Sequence, residues 1–123
     1  MTDTSSTKIV FLLFPGITQL DFTAPAQALS RMPGATLVGA AANLDPIMTD
    51  SGFAIVPTHD FASAPQADLL CIPGGHGVAD ALGDAATIDF IKRQAAGAQW
   101  VTSVCTGAFL LGRAGLLAGK RAT

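Results

Sequence analysis

The stretch KIVFLLFPG, Lys8 to Gly16, runs apolar without a break from Ile9 to Phe14 before Pro15 and Gly16 stop it. A strand with one wet face alternates polar and apolar positions, whereas a strand buried on both faces does not. Such a strand belongs inside a parallel sheet, and parallel neighbours need long crossovers that are usually helical. The feature recurs. ADLLCIPGG, Ala67 to Gly75, is a second short apolar run ended by Pro and Gly, and WVTSVC, Trp100 to Cys105, is a third, β-branched one.

The segments between these runs read as crossovers. LDFTAPAQALSRMPG reads as a helix capped by Thr23, with Pro25 in its permissive first turn and Pro33–Gly34 at its end. ATLVGAAA is a softer strand, and PIMTDSGFAIVPTHDF holds two short strand-like runs about an Asp50-Ser51-Gly52 turn, a hairpin pattern. Asp84 can cap a helix in which Ile88, Ile91 and Ala95 share one face. TGAFLLGRAGLL reads as a last helix that fades at Gly115 or Gly119. Strands alternating with helices predict an α/β domain with a mainly parallel sheet.

Composition narrows the class. Half of the 123 residues are hydrophobic, 13% are charged and the net charge is −2. One domain with one core fits that length. The apolar surplus fits helices on both sheet faces or a partner surface. No basic run is present, so this segment is not expected to bind nucleic acid. Residues 1–7 read as a polar, disordered leader without the order of a signal peptide. The run from Ile9 to Phe14 is too short to span a membrane. Cys71 and Cys105 show neither CxxC nor CxxxH spacing, so no zinc site is expected, and a reducing cytoplasm is the simplest compartment.

Three strand ends carry loops with chemistry: FPGITQLD, IPGGHG and SVCTG. In parallel α/β sheets, ligands sit beyond the carboxyl ends of the strands, so these loops are expected to share one crevice. Cys105 falls between a strand and a helix, where free amides and the helix dipole favour a thiolate and a sharp turn projects the side chain. A buried small hydrophobe is the competing reading, evenly matched on spacing alone. Gly74, Gly75 and Gly77 let backbone approach a ligand, and the amides of Gly75 and Thr106 can donate to developing negative charge. Asp21, between Leu20 and Phe22, reads as a general acid/base or as a dipole-favoured first-turn aspartate. His76 reads as a solvated loop residue ahead of a base for Cys105, and His59 as a surface residue near the hairpin. Cys71 reads as core, Trp100 as packing, and Lys92–Arg93 and Lys120–Arg121 as solvated faces.

Asp21 within FLLFPGITQLDFTAP, together with CIPGGHGV and VTSVCTGAFLLGRAGLLAGKRAT, resembles the ThiJ/PfpI branch of the glutamine-amidotransferase-like superfamily, and within it the isonitrile hydratases. The likeness runs from about Lys8 to Thr123. It implies a flavodoxin-like three-layer sandwich, a homodimer, a nucleophilic Cys105 with Asp21 as acidic partner, and Thr106 after the cysteine. It further implies hydration of a small apolar isocyanide to an N-substituted formamide through a thioimidate, with no metal or organic cofactor. Gly75, Gly74 and His76 fall in the oxyanion and substrate loop, although the hydratases carry a different small polar residue at the position of His76. Relatives continue past Lys120-Arg121-Ala122-Thr123 into a Thr-His-containing strand and further helices, so residues 8–123 are expected to be the N-terminal part of one α/β domain. Two other functions compete. Similar domains form the sensing half of AraC-type regulators, in which a helix-turn-helix would follow. Other cysteine hydrolases of the superfamily usually pair a glutamate with the thiol.

Overall fold

The computed structural model describes residues 6–121. Strands β1 (Thr7–Leu12), β2 (Ala35–Ala41), β5 (His59–Asp60), β6 (Leu69–Ile72) and β7 (Trp100–Ser103) form one sheet in the order β5-β2-β1-β6-β7. Every pairing in it is parallel. Helix α1 (Gln19–Leu29) joins β1 to β2, α2 (Val78–Ala81) and α3 (Ala85–Gly97) join β6 to β7, α4 (Gly107–Arg113) follows β7, and β3 (Ile47–Met48) pairs antiparallel with β4 (Ala54–Ile55) as a separate hairpin. This is the expected flavodoxin-like α/β sandwich.

The unbroken apolar run explains the centre. Ile9, Val10, Phe11 and Leu12 point alternately to the two faces of β1, and all are 0% exposed, so both faces are covered. On one face the Phe22 ring of α1 meets Phe11 edge-on at 5.1 Å. Within the core, Phe61 stacks on Phe90 of α3 at 4.4 Å. Each such pair adds about 0.5–1.5 kcal/mol beyond its area. Buried Gln94 is fully bonded: its Oε1 accepts the Ala67 amide at 2.7 Å and its Nε2 donates to the Pro65 carbonyl at 2.9 Å.

Several local expectations change. The first strand starts at Thr7, whose amide donates to the Gly34 carbonyl at 2.9 Å; of the rest of the expected leader, Ser6 is exposed ahead of the strand and residues 1–5 lie outside the described residues. Helix α1 begins at Gln19, not near Thr23, and Pro25 falls inside it. Its start is fixed by bonds to the hairpin some thirty residues on, which local spacing does not reveal. Thr23 is instead a second-turn residue whose hydroxyl donates to the Gln19 carbonyl at 3.1 Å. Asp84 does occupy the N-cap of α3, but its carboxylate accepts the Thr87 hydroxyl at 2.6 Å rather than a backbone amide. His59, read as a surface residue, pairs with Ala40 in β5 and is half-buried. Trp100 begins β7 but is 60% exposed, and among the described residues no strand pairs with the outer side of β7. Among the described residues no helix is long and apolar enough to cross a membrane.

Candidate active site

β1 has β2 on one side, reached through α1, and β6 on the other. Chain connections therefore leave in opposite directions at the carboxyl ends of β1 and β6, the switch point where open α/β sheets form a crevice. The loops that follow β1, β6 and β7 meet there, and main-chain bonds hold them together. Thr18 donates to the Gly74 carbonyl at 2.9 Å, Gly77 to the Gly16 carbonyl at 3.1 Å, and Val104 to the Ile72 carbonyl at 3.0 Å.

Two glycines allow this approach. Gly75 has φ +128, and a Cβ on it would lie 2.6 Å from the Gly16 carbonyl oxygen. A Cβ on Gly74 would lie 2.7 Å from both the amide nitrogen and Oγ1 of Thr106, and 3.0 Å from Cβ of Cys105. Any side chain at either position would drive the loops apart. Gly74 also donates its amide to Oδ2 of Asp21 at 3.2 Å. The three expected segments thus converge on one residue: the β6 loop touches the carboxylate from α1 on one side and the cysteine turn after β7 on the other.

Cys105 is exposed and has φ +55, the single positive φ outside glycine among the described residues. A residue with a Cβ pays about 1–2 kcal/mol for that backbone, a strain that packing of the turn must hold in place. The strained strand-to-helix turn lifts the thiol off the sheet, as a nucleophile elbow does. Thr106 is the N-cap of α4, yet its hydroxyl makes no capping bond and instead accepts the Gly75 amide at 3.1 Å. The Gly75 amide, expected to face an oxyanion, is therefore occupied. The amides of Cys105 and Thr106 have no protein acceptor among the described residues, and the Thr106 hydroxyl keeps its own proton to donate.

Cys71 behaves as expected of core. It is 3% exposed, and burial pushes its thiol pKa up; a bond from Thr102 opposes the rise and the charge of Asp21 adds to it. His76 is exposed, and its ring has no partner among the described residues, consistent with a loop position. A cavity of about 330 Å³ opens beside the crevice, lined by Leu13, Phe14, Ile47 and Phe61 among others, and meets the site loops at Phe14, Pro15 and Gly77. Among the described residues no group of three or more His, Cys, Asp or Glu could hold a metal ion. Sequence reading passed over Thr18 and Asp50, which bond each other at 2.9 Å beside the start of α1; Asp50 carried only a turn signal.

The chain is similar to known proteins in sequence and in fold. An isonitrile hydratase from Pseudomonas putida is 47% identical over 94% of this chain and 51% of its own length. A solved ThiJ/PfpI family protein from Pseudomonas syringae superposes with a TM-score of 0.91 at 39% identity, over 94% of this chain and 49% of that one. The chain thus spans about half the length of these relatives. An HTH-type transcriptional regulator from Mycobacterium tuberculosis is 48% identical over 50 residues, which are 41% of this chain and 19% of the regulator. The model of the DJ-1/PfpI family matches residues 7–123, the whole span from β1 through the cysteine elbow and α4, and the chain belongs to that family.

Proposed function

We propose that the protein hydrates isocyanides, R–N≡C, to N-substituted formamides with Cys105 as nucleophile. The observation that carries this reading is the placement of Gly74, amide on Asp21 and α-carbon against Cys105 and Thr106. The 47% identity to an isonitrile hydratase supports the substrate class.

The terminal carbon of an isocyanide takes both a nucleophile and a proton. Sulfur of Cys105 bonds to that carbon while a proton is delivered to it, giving the thioimidate R–N=CH–S–Cys105. Asp21 relays that proton and then takes one from water. Water adds to the same carbon and nitrogen is protonated, giving R–NH–CH(OH)–S–Cys105. The carbon–sulfur bond breaks, the formamide R–NH–CHO leaves, and the thiol regains its proton. The free amides of Cys105 and Thr106 and the Thr106 hydroxyl face the charge that develops. The Gly75 amide joins them when it exchanges the Thr106 oxygen for the intermediate.

The partner is a small apolar substrate, and the protein works as a homodimer. Leu20 of α1 and Met48 and Phe53 of the hairpin region are exposed, on two segments joined by the Thr18–Asp50 bond, and offer apolar surface to a second copy. The regulator match supports a second reading, in which this domain senses a ligand for a DNA-binding segment elsewhere. An isocyanide-to-formamide assay separates them. The enzyme reading expects turnover that Cys105→Ala abolishes; a wild-type protein that binds isocyanide without consuming it supports the sensor, and unchanged turnover in Cys105→Ala removes the cysteine role.

A further inference from the structure

We propose that Asp50, at the tip of the β3–β4 hairpin, is a positioning residue that sets the placement of Asp21. The proposal rests on the reading of Asp21 as the acid/base group.

Helix α1 lacks a cap of its own. Its N-cap, Thr18, makes no side-chain capping bond, and its hydroxyl points away to donate to Oδ2 of Asp50 at 2.9 Å. The amide of Gln19, the first helical residue, reaches Oδ1 of the same carboxylate at 3.4 Å. One carboxylate, distant in sequence, therefore takes the place of the missing cap and puts a negative charge at the positive end of the helix. The hairpin is tied to the same segment by main-chain bonds: Asp50 donates to the Ile17 carbonyl at 3.0 Å, and Gly16 donates to the Met48 carbonyl at 2.9 Å. Ser51 adds a bond from its hydroxyl to Oε1 of Gln19 at 3.2 Å.

Asp21 hangs from this capped turn. Its amide donates to the Thr18 carbonyl at 3.0 Å, so a shift of Thr18 moves Asp21 directly. Pro25 lies four residues on inside α1 and has no N–H, so the Asp21 carbonyl lacks the helix bond that would otherwise anchor it. The helix holds its own first turn less firmly than usual, and the hairpin makes up the difference. Beyond Asp21, the path is short: Thr18 bonds the Gly74 carbonyl, Gly74 bonds the Asp21 carboxylate, and Gly75 bonds Thr106. A displacement of about 1 Å at a reacting group can cost a hundredfold in rate, so an exposed cap that prevents part of it is worth on the order of tenfold.

Two readouts test this, one of them independent of substrate. Amide hydrogen exchange at residues 19–22 should speed up about tenfold in Asp50→Ala, relative to the amides of α3, and stay within about threefold of wild type in Asp50→Asn, which keeps an acceptor oxygen. Thr18→Val, which removes only the hydroxyl bond, should raise exchange in the same segment. Asp50→Ala should lower kcat about tenfold with KM unchanged, and should cost nothing further in an Asp21→Asn background. Unchanged exchange in Asp50→Ala, or a kcat loss that adds in full to that of Asp21→Asn, overturns the proposal. A wild type that makes no formamide overturns the reaction reading instead, and the exchange result still decides the role of Asp50.

Discussion

Cys71, on β6, and Cys105, just past the end of the neighbouring β7, have opposite fates. Cys71 sits inside β6, in register with Phe11 of β1 and Thr102 of β7, and is 3% exposed. Cys105 stands just past the end of β7, exposed, at φ +55. Both are free thiols. The difference is one of backbone: a strand buried on both faces shuts its side chain away from water, and a strained turn at the strand's end puts its side chain out. A thiol in the first place packs as a small hydrophobe, while one in the second can meet a substrate. Loop glycines complete the contrast, because Gly74 brings the Asp21 carboxylate to the exposed cysteine's turn.

The largest effect expected from breaking this contrast is at Cys105. Cys105→Ala should lower formamide production by roughly a thousandfold or more, while Cys71→Ala retains most of it; steady-state kinetics on both variants check this. Next comes Asp21→Asn, which should cost about 10²–10⁴ in kcat and leave the fold intact by circular dichroism. Gly74→Ala should be smaller in rate but felt in stability. The added methyl would lie 2.7 Å from the Thr106 amide nitrogen, and relief of that overlap should cost about 1–3 kcal/mol in urea unfolding. The smallest effect is at Cys71. Its removal should cost about 1 kcal/mol near neutral pH, for the lost packing. Burial raises its folded pKa above the unfolded value of about 8.5, so its neutral form is favoured in the fold. That contribution is whole below the unfolded pKa and is lost as pH rises through the folded pKa. Stability should therefore fall more steeply above about pH 8.5 in wild type than in Cys71→Ala.

What could be read from the sequence follows the same division between local and distant causes. The centres of β1 and β6 were legible because burial on both faces leaves an unbroken apolar run, as in Ile9–Phe14. The elbow at Cys105 was legible because a β-branched strand changes abruptly to small residues there. The start of α1 was not, since the group that caps it, Asp50, comes from the hairpin. β5 was missed because His59 and Asp60 are polar and only two residues long; pairing with Ala40 and Ala41 makes them a strand. Trp100 looked like a packing residue, and nothing in its neighbours reveals that β7 is the last strand among the described residues. Within the site, Asp21, Gly74, Thr106 and Cys105 were singled out by residue type and loop position, while their roles stayed open on spacing alone and came from the family resemblance. That the Gly75 amide would be taken by the Thr106 hydroxyl was not, because it depends on a contact across two crossovers.

Covalent trapping tests the central claim most directly. Wild-type protein is mixed with an alkyl isocyanide, quenched with acid before steady state, digested and mapped by mass spectrometry. An increment equal to the whole isocyanide on the peptide that carries Cys105, with the Cys71 peptide unmodified, is the predicted result. An increment on Cys71, or steady release of formamide from Cys105→Ala with no adduct on either thiol, would contradict it.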